Sequence, residues 1–263
     1  MKSRRRTAGK WALRIFLLLV LIAALDVTVL AFPYPLFDNK FEADKLTIYS
    51  SVALSDDVEE IAKGVRARVD AMECPQPDAG YRVFICGDER LYSFFAFLSR
   101  KSPNSQAIGL SLLGNMYLNG PKIDRIAAND HGGMSHSRFE GNLAFVISHE
   151  IAHSNVIKTL GLRTALGLPD WKSEGYADYQ AALAGTRADR SYALTDRIDF
   201  LLDDSFWGSG RSIARELYEW HLLVEFLAEE KGFGLNDLID ETVTEASARQ
   251  EMMAWYEEQR EGR

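Results

Sequence analysis

Two histidines four residues apart, with a glutamate directly after the first, carry the clearest chemistry in the sequence. They are His149, Glu150 and His153 in the pentapeptide HEIAH. Residues four apart lie on one face of a helix, so both imidazoles can bind one metal ion while the glutamate faces water beside it. Catalytic zinc takes three protein ligands and keeps its fourth position for water. The sequence therefore predicts a zinc site whose third ligand comes from another segment.

Glu174 is the candidate third ligand, within the segment WKSEGYADY. We expect a helix that begins at Pro169 or Asp170 and ends at Gly185. Such a helix places Glu174 and Asp178 on one face, where Asp178 can accept the free ring N–H of a metal-bound histidine and fix its tautomer. The alternative is a solvated acidic face on a surface helix. Trp171 and Tyr176 lie beside these acids in the sequence, which argues against a fully exposed face.

The HEIAH pentapeptide lies in an apolar stretch that predicts a buried helix of about four turns. Gly141-Asn142 is a candidate N-terminal cap, and Gly161 is the candidate stop. Two imidazoles and a carboxylate are costly to bury without partners, and a metal ion would satisfy all three. The competing interpretation is a pair of histidines hydrogen-bonded in an ordinary core.

The two segments together resemble the gluzincin branch of zinc metallopeptidases, the thermolysin-like group with two histidines and a glutamate on the metal. The resemblance covers about residues 139–185. The form of the second segment is similar to that of bacterial peptidase-MA-like proteins, several of them membrane-anchored. It implies one Zn²⁺ per chain, a general base and a supporting carboxylate. His149, His153 and Glu174 would be the zinc ligands. Glu150 would be the general base, and Asp178 the carboxylate that supports a ligand histidine.

Another class of zinc peptidase fits less well. The metzincin pattern requires a glycine and a histidine where this chain has Val156 and Thr159.

The gluzincin resemblance implies an α+β, zincin-like domain with two lobes. An N-terminal α/β lobe with a mixed sheet would precede the active helix and a mostly helical C-terminal lobe.

The resemblance also implies a mechanism for peptide-bond hydrolysis. Glu150 would take a proton from a zinc-bound water as that water attacks a peptide carbonyl, and would then pass the proton to the leaving amine. Gluzincins place a tyrosine or histidine from a following helix at the developing oxyanion. Tyr218 is the candidate in this chain and His221 is the alternative, although either fits an ordinary core position equally well.

Gluzincins further bind the substrate backbone along an edge strand that precedes the active helix. A hairpin is expected around residues 107–119 because Gly109 and Gly114-Asn115 interrupt it. Its second strand makes Met116, Tyr117 and Leu118 the candidate substrate-binding residues. Ordinary pairing inside a sheet explains this strand equally well.

The segments around the motifs indicate five regions. They are a basic N-terminus (1–14), a transmembrane signal-anchor (15–32), a linker (33–44), an α/β lobe (45–138), and the active helix with the helical lobe (139–263). Within the α/β lobe, strands are expected at 45–50 and 81–86, with a helix that begins at Ser55 between them. Helices are expected at 191–202, 212–231 and 235–255, followed by a solvated tail.

The N-terminal region predicts where the chemistry takes place. Six basic residues precede an apolar run over residues 15–32, whose eighteen residues are about the minimum for a membrane span. Positive charge on the N-terminal side places that side in the cytoplasm of a bacterial cell and the catalytic domain outside it, on a single-pass inner-membrane protein. Asp26 interrupts the run. The alternative is a secreted protein, cleaved after a Val29-x-Ala31 signal.

Composition limits the remaining functions. The chain carries a net charge of −8, and its first 25 residues contain six basic and no acidic side chains, so the rest carries −8 − 6 = −14. Such an acidic domain argues against nucleic-acid binding. Cys74 and Cys86 end a helix and a strand that should meet opposite sheet edges, which disfavours a disulfide. No motif indicates an oligomeric state.

Three functions stay open. The first is a membrane-anchored zinc metallopeptidase acting on extracytoplasmic proteins or peptides. The second is an inactive zincin-fold module for binding or assembly at the membrane surface, against which the intact Glu150 argues. The third is a zinc hydrolase of non-peptide amides or esters, since the same metal chemistry serves both bond types.

A polar segment over residues 129–138 has three interpretations. It could be a lid over the cleft, a second metal site through His131 and His136, or a simple surface loop.

Overall fold

The chain is an α+β protein with a mixed five-stranded sheet and a mostly helical remainder, as seen in a computed structural model. The structure describes residues 2–76, 80–128, 143–188, 193–207 and 212–262. The strands are β1 (Asn39–Ala43), β2 (Leu46–Ser50), β3 (Tyr81–Cys86), β4 (Ala107–Leu110) and β5 (Asn115–Asn119). The helices of the first half are α1 (Lys2–Ala31), α2 (Val58–Ala71), α3 (Glu89–Ser99) and α4 (Gly120–Ala128), with a short 3-10 helix at Tyr34–Leu36.

The second half of the described chain is helical. Its helices are α5 (Leu143–Leu160), α6 (Leu162–Leu166), α7 (Asp170–Ala188), α8 (Leu194–Leu202), α9 (Asp204–Trp207), α10 (Ser212–Glu229), α11 (Leu235–Leu238) and α12 (Glu245–Glu261). Helix α5 ends where the sequence predicts, because Gly161 has a φ of +79° and its N–H bonds the carbonyl of Ile157. A buried cluster that includes Trp171, Tyr218 and Phe226 holds these helices together.

The sheet has the strand order β1-β2-β3-β5-β4. Strands β2, β3 and β5 are parallel, and the two outer strands, β1 and β4, are antiparallel to their neighbours. The expected hairpin is therefore confirmed as β4 and β5, with Gly114 in a left-handed conformation (φ +65°) in the turn. The edge at this end of the sheet is β4.

Helices cover both faces of the sheet. Apolar side chains of α2 and α5, such as Val65 and Ile151, pack with Ile48, Val83 and other sheet residues on one face. Helix α3 and the end of α1 cover the opposite face through a cluster rich in aromatic rings, including Phe84, Phe95 and Tyr117. The HEIAH helix is therefore positioned directly against the sheet.

Helix α1 combines an apolar span with an end that belongs to the folded domain. Residues Leu13–Ala31 are long and apolar enough to cross a membrane, as either an anchor or a signal sequence, and almost all of this span lies outside the domain core. Its last turn differs, because Leu30 is buried and its carbonyl accepts hydrogen bonds from Asn115 Nδ2 (2.7 Å) and Tyr117 Oη (2.8 Å). The end of α1 is thus fixed to β5.

Several sequence-based expectations about element bounds were wrong. Residues 33–44 are not a linker, since they include the 3-10 helix and β1, an edge strand too short and polar to give a clear pattern. Helix α7 continues through Gly185 to Ala188, because an interior glycine weakens a helix by only about 1 kcal/mol without ending it.

The expected helix over 235–255 is two helices, α11 and α12. Asp240 accepts hydrogen bonds from the backbone N–H and hydroxyl of Thr242, and Thr244 caps the start of α12. These local side-chain bonds compete with helical hydrogen bonds and separate the two helices. Helix α12 then continues to Glu261, through most of the expected solvated tail. Cys74 and Cys86 are free thiols.

Candidate metal centre

Three side chains from two helices converge on one point. His149 and His153 project from α5, and Glu174 projects from α7. The Nε2 atoms of the two histidines are 3.1 Å apart. The Glu174 carboxylate oxygens lie 3.4 Å from Nε2 of His149 and 3.6 Å from Nε2 of His153. The structure therefore brings together the three predicted ligands in a group that could hold a metal ion.

Asp178 fixes the orientation of the first histidine. Its Oδ1 lies 2.7 Å from Nδ1 of His149, and its side chain is only 6 % exposed. A carboxylate only accepts hydrogen bonds, so Nδ1 of His149 carries the proton and donates it. The lone pair of Nε2 then points toward His153 and Glu174. Asp178 therefore contacts a candidate ligand histidine, as the sequence predicts. The alternative of a solvated acidic face is wrong for Asp178, because its side chain is buried.

A residue that the sequence analysis missed supports the second histidine. The hydroxyl of Ser173 lies 3.4 Å from Nδ1 of His153. Ser173 is adjacent to Glu174, so one turn of α7 supplies both a candidate ligand and a partner for a ligand ring. A serine beside an acid is too common a pair for the sequence to have indicated this contact.

The electrostatics of the cluster favour a bound positive charge. Burial alone would lower the pKa of His149, but the carboxylates of Asp178 and Glu174 outweigh it and hold that pKa well above its usual value. Burial would raise the pKa of Glu174, yet hydrogen bonds from His149 and His153 keep it far below its usual range. Convergent lone pairs and a carboxylate repel one another unless a proton or a metal cation lies between them.

The spacing of the three donors fits a small tetrahedral ion. Ligand atoms about 2.0–2.1 Å from a tetrahedral ion lie about 3.3 Å from one another. The observed separations lie near that value: 3.1 Å between the two Nε2 atoms, 3.4 Å from Nε2 of His149 to Oε2 of Glu174, and 3.6 Å from Nε2 of His153 to Oε1 of Glu174. Each carboxylate oxygen thus faces one histidine. Two imidazoles and one carboxylate are also a donor set typical of zinc and other first-row divalent metals. The Glu174 side chain is 38 % exposed, so the cluster opens to solvent on one side.

The side chain of Glu150, the residue after His149, lies against the edge strand β4. A Cβ atom built on Gly109 of β4 would be 2.4 Å from Oε2 of Glu150. Glycine at this position therefore leaves the room that the carboxylate occupies. One turn along, Ser154 of α5 donates a hydrogen bond to the hydroxyl of Ser111 at 3.1 Å, which keeps the end of β4 beside the helix. The sequence indicates Gly109 only as a residue that interrupts a hairpin.

A close approach of two helices fixes the position of Glu174. A Cβ atom on Gly175 would lie 2.4 Å from the carbonyl oxygen of Trp220 and 2.9 Å from the side chain of Val224. Helices α7 and α10 therefore touch at the residue that follows Glu174. On the other side of α7, Ala177 is fully buried in the cluster that contains Ile151 of α5. A small residue therefore lies on the side of α7 that packs with α5, where the sequence predicts one.

The two candidates for the oxyanion donor lie in the helical core. Tyr218 is 2 % exposed and packs against the rings of Phe200 and Trp207. His221 is 3 % exposed, and its Nε2 lies 3.3 Å from Glu225, a carboxylate that also binds Arg197. The catalytic role of either residue stays a prediction.

The expectation of an edge strand at Met116, Tyr117 and Leu118 is wrong. Strand β5 pairs with β3 on one side and with β4 on the other, so its backbone groups are used within the sheet. All three side chains are buried. The sequence located the hairpin but not the order of its strands, which depends on distant pairing with β3.

Other predicted features cannot be compared with the fold. The candidate cap at Gly141-Asn142 and the loop with His131 and His136 lie outside the described residues. Neither a scan against protein-family models nor a search of curated proteins finds a match to this chain.

Proposed function

We propose that this protein is a zinc-dependent metallopeptidase of the gluzincin type. The observation that carries the proposal is the convergence of His149, His153 and Glu174 at separations suited to tetrahedral zinc. Glu150, on the same helix, gives the site a base as well as ligands. The zincin-like description of the fold is part of this proposal, and it rests on the resemblance together with the mixed sheet packed against α5.

The chain's own residues divide the work of hydrolysis. When bound, zinc supplies Lewis acidity that makes water a better nucleophile and polarises a carbonyl. Glu150 takes the proton from the attacking water and delivers it to the leaving amine. Asp178 and Ser173 hold the two histidine rings in the orientation that directs their Nε2 atoms inward. Gly109 keeps β4 far enough from Glu150 for its carboxylate to reach the reacting atoms.

The substrate in this proposal is an extended peptide beside β4. Strand addition needs an edge strand next to the general base. Strand β4 is the last strand in the sheet order, and Gly109 within it lies against Glu150. We therefore transfer the substrate-binding role from Met116, Tyr117 and Leu118 to the backbone of β4.

We place this activity on the outer side of a cell membrane, with α1 as a retained anchor. Signal cleavage after Ala31 would remove Leu30, whose carbonyl accepts the hydrogen bonds of Asn115 and Tyr117. Intact-mass analysis of the chain recovered from membranes tests this. We expect a chain that includes α1, whereas a chain that begins at Phe32 would contradict an anchored enzyme.

A peptide-library digestion followed by mass spectrometry tests the activity. We expect the zinc-loaded full chain to cleave peptides, and Glu150→Gln to slow cleavage by a factor of about 10² or more because the general base is lost. Glu150→Gln should bind zinc like the wild type, since Glu150 is not a ligand. Peptide cleavage that persists in Glu150→Gln would contradict the peptidase assignment. Hydrolysis of esters and non-peptide amides alone would contradict it as well.

A further inference from the structure

The exposed side of α3 carries a short stripe of basic and aromatic side chains. Arg90, Phe94, Phe97 and Lys101 follow one another at intervals of four, three and four residues, which places them along one face of α3 and its end. All four are exposed, Phe94 by 42 % and Phe97 by 79 %. Its two cations stand in a chain that carries a net charge of −14 after residue 25, and the exposed acids Asp88 and Glu89 precede Arg90.

Packed rings fix this stripe relative to the end of α1. The ring of Phe94 contacts that of Phe95 (centroids 5.3 Å apart), and Phe95 stacks on Tyr117 at 4.1 Å. The hydroxyl of Tyr117 in turn donates to the carbonyl of Leu30 in the last turn of α1. Val29 and Leu30 pack in the same cluster as the inner face of α3. The helix that carries the stripe and the end of the apolar span therefore pack in one cluster.

The depth of α3 relative to a membrane follows from this contact. The nineteen residues Leu13–Ala31 form a helix of about 28 Å, close to the thickness of a bilayer's hydrocarbon core. The packing of α1 on the domain core involves Val29 and Leu30, within about 3 Å of Ala31 along the helix axis. Asp26 lies four residues before Leu30, on the side of α1 that faces the domain. If α1 spans the membrane, α3 lies beside the headgroup region.

We propose that the stripe Arg90, Phe94, Phe97 and Lys101 lies on the outer leaflet of the membrane and binds lipid. The phenylalanine rings enter the boundary between headgroups and acyl chains, and the two cations contact anionic phosphates. This contact holds the sheet face that carries α3 toward the lipid, and it directs α5 with the candidate metal centre away from the bilayer. The proposal goes beyond the peptidase activity and rests on α1 being a retained span.

Fluorescence quenching in vesicles tests the lipid contact on the full chain. Cys74 is replaced by serine, and the fully buried Cys86 is left in place. An environment-sensitive NBD label is then attached to a single cysteine at Phe97, at Ile22 within the span, or at Leu166, which is 73 % exposed in the helical half. The vesicles contain anionic phospholipid and a nitroxide-labelled lipid that quenches the probe on contact.

We expect strong quenching at Ile22→Cys and Phe97→Cys and at least threefold weaker quenching at Leu166→Cys. Quenching at Ile22→Cys with none at Phe97→Cys would overturn the lipid-binding stripe and leave the anchor standing. No quenching at either position would overturn the anchor, and the stripe with it. A blue-shifted label at Phe97→Cys that nitroxide lipid does not quench would assign the stripe to a protein partner instead.

The charged half of the proposal has its own measurement. Replacing Arg90 and Lys101 together by glutamate should reduce the quenching at Phe97→Cys in anionic vesicles at least twofold, with a smaller change in zwitterionic vesicles. Lys63→Glu with Arg66→Glu on α2 is the matched control, since both are exposed cations on the opposite face of the sheet. Equal effects of the two pairs would contradict a local headgroup contact.

Discussion

At the scale of single residues, Asp178 and Ser173 orient the two histidine rings of the candidate metal centre. A ring nitrogen can serve as a ligand only when its lone pair faces the ion, and the bond from Nδ1 of His149 to Asp178 imposes that orientation. Ser173 gives His153 a longer and weaker partner. Asp178 should therefore matter more for metal affinity than its distance from the ion suggests.

Replacing Asp178 by asparagine tests this role. The substitution keeps the size of the side chain but removes the charge and adds an N–H donor. The amide can then accept from Nδ1 of His149 or donate to it, so it no longer fixes the tautomer. We expect zinc affinity to fall about 10- to 100-fold, as measured by titration against a competing chelator. Asp170→Asn, at the exposed start of the same helix, should leave the affinity unchanged. Equal affinity in Asp178→Asn and the wild type would show that Asp178 does not support the site.

At the scale of elements, two glycines set the distances between the segments that build the site. Gly109 separates β4 from the Glu150 carboxylate on α5, and Gly175 lets α7 touch α10 beside Glu174. The two positions differ in what a methyl group would meet. At Gly109 it is the end of a flexible side chain, whereas at Gly175 it is the backbone carbonyl of Trp220.

Gly109→Ala should therefore impair activity without unfolding the protein. The Glu150 carboxylate can rotate away from the new methyl group, which moves the proposed base from the position that the proposed mechanism requires. We expect peptide cleavage to fall at least tenfold, while the free energy of unfolding changes by less than about 1 kcal/mol. Gly167→Ala is the control, since its Cβ would make only ordinary contacts at 3.4 Å. A Gly109→Ala enzyme with full activity would contradict the position given to Glu150.

Gly175→Ala should instead destabilise the fold and weaken the site together. The new methyl group must push α7 from α10, and overpacking of this kind costs about 1–3 kcal/mol. Because Glu174 is the preceding residue, its carboxylate should move as well and zinc affinity should fall. Urea unfolding and zinc titration measure the two effects. A stable variant with normal affinity would show that the close approach is not required.

The chemistry-bearing residues were predictable from the sequence because their spacing is local. His149, Glu150 and His153 share one helix, and Glu174 and Asp178 share another. The role of Gly109 was not predictable, because it depends on which strand forms the sheet edge beside α5. That order is set by pairing between β3 and β5, which are distant in sequence. For the same reason, the edge role was placed on β5 rather than β4.

At the scale of the whole molecule, a metal ion would join the two halves of the chain. Helix α5 packs on the sheet, and α7 joins the helical half through Gly175 and α10. His149 and His153 are on α5 and Glu174 is on α7, so one ion would bridge the interface between them. Metal binding should therefore stabilise both halves of the folded chain.

Removal of the metal should lower the melting temperature. At free zinc about 1,000 times its Kd, binding contributes about 4 kcal/mol, which corresponds to roughly 8–16 °C in a domain of this size. Calorimetry of the full chain with and without a chelator measures the shift, and added zinc should reverse it. Glu174→Ala should melt at nearly the same temperature in both conditions. A wild-type protein insensitive to the chelator would contradict a bridging ion.

The most direct measurement of the central claim is the zinc content of the purified full chain beside that of Glu174→Ala. Elemental analysis after removal of loosely bound metal gives the ratio of zinc to protein. We predict close to one zinc per chain in the wild type and a large loss in Glu174→Ala, because Glu174 supplies the third ligand. Metal-free wild-type protein, or zinc held equally well without Glu174, would contradict the metallopeptidase account.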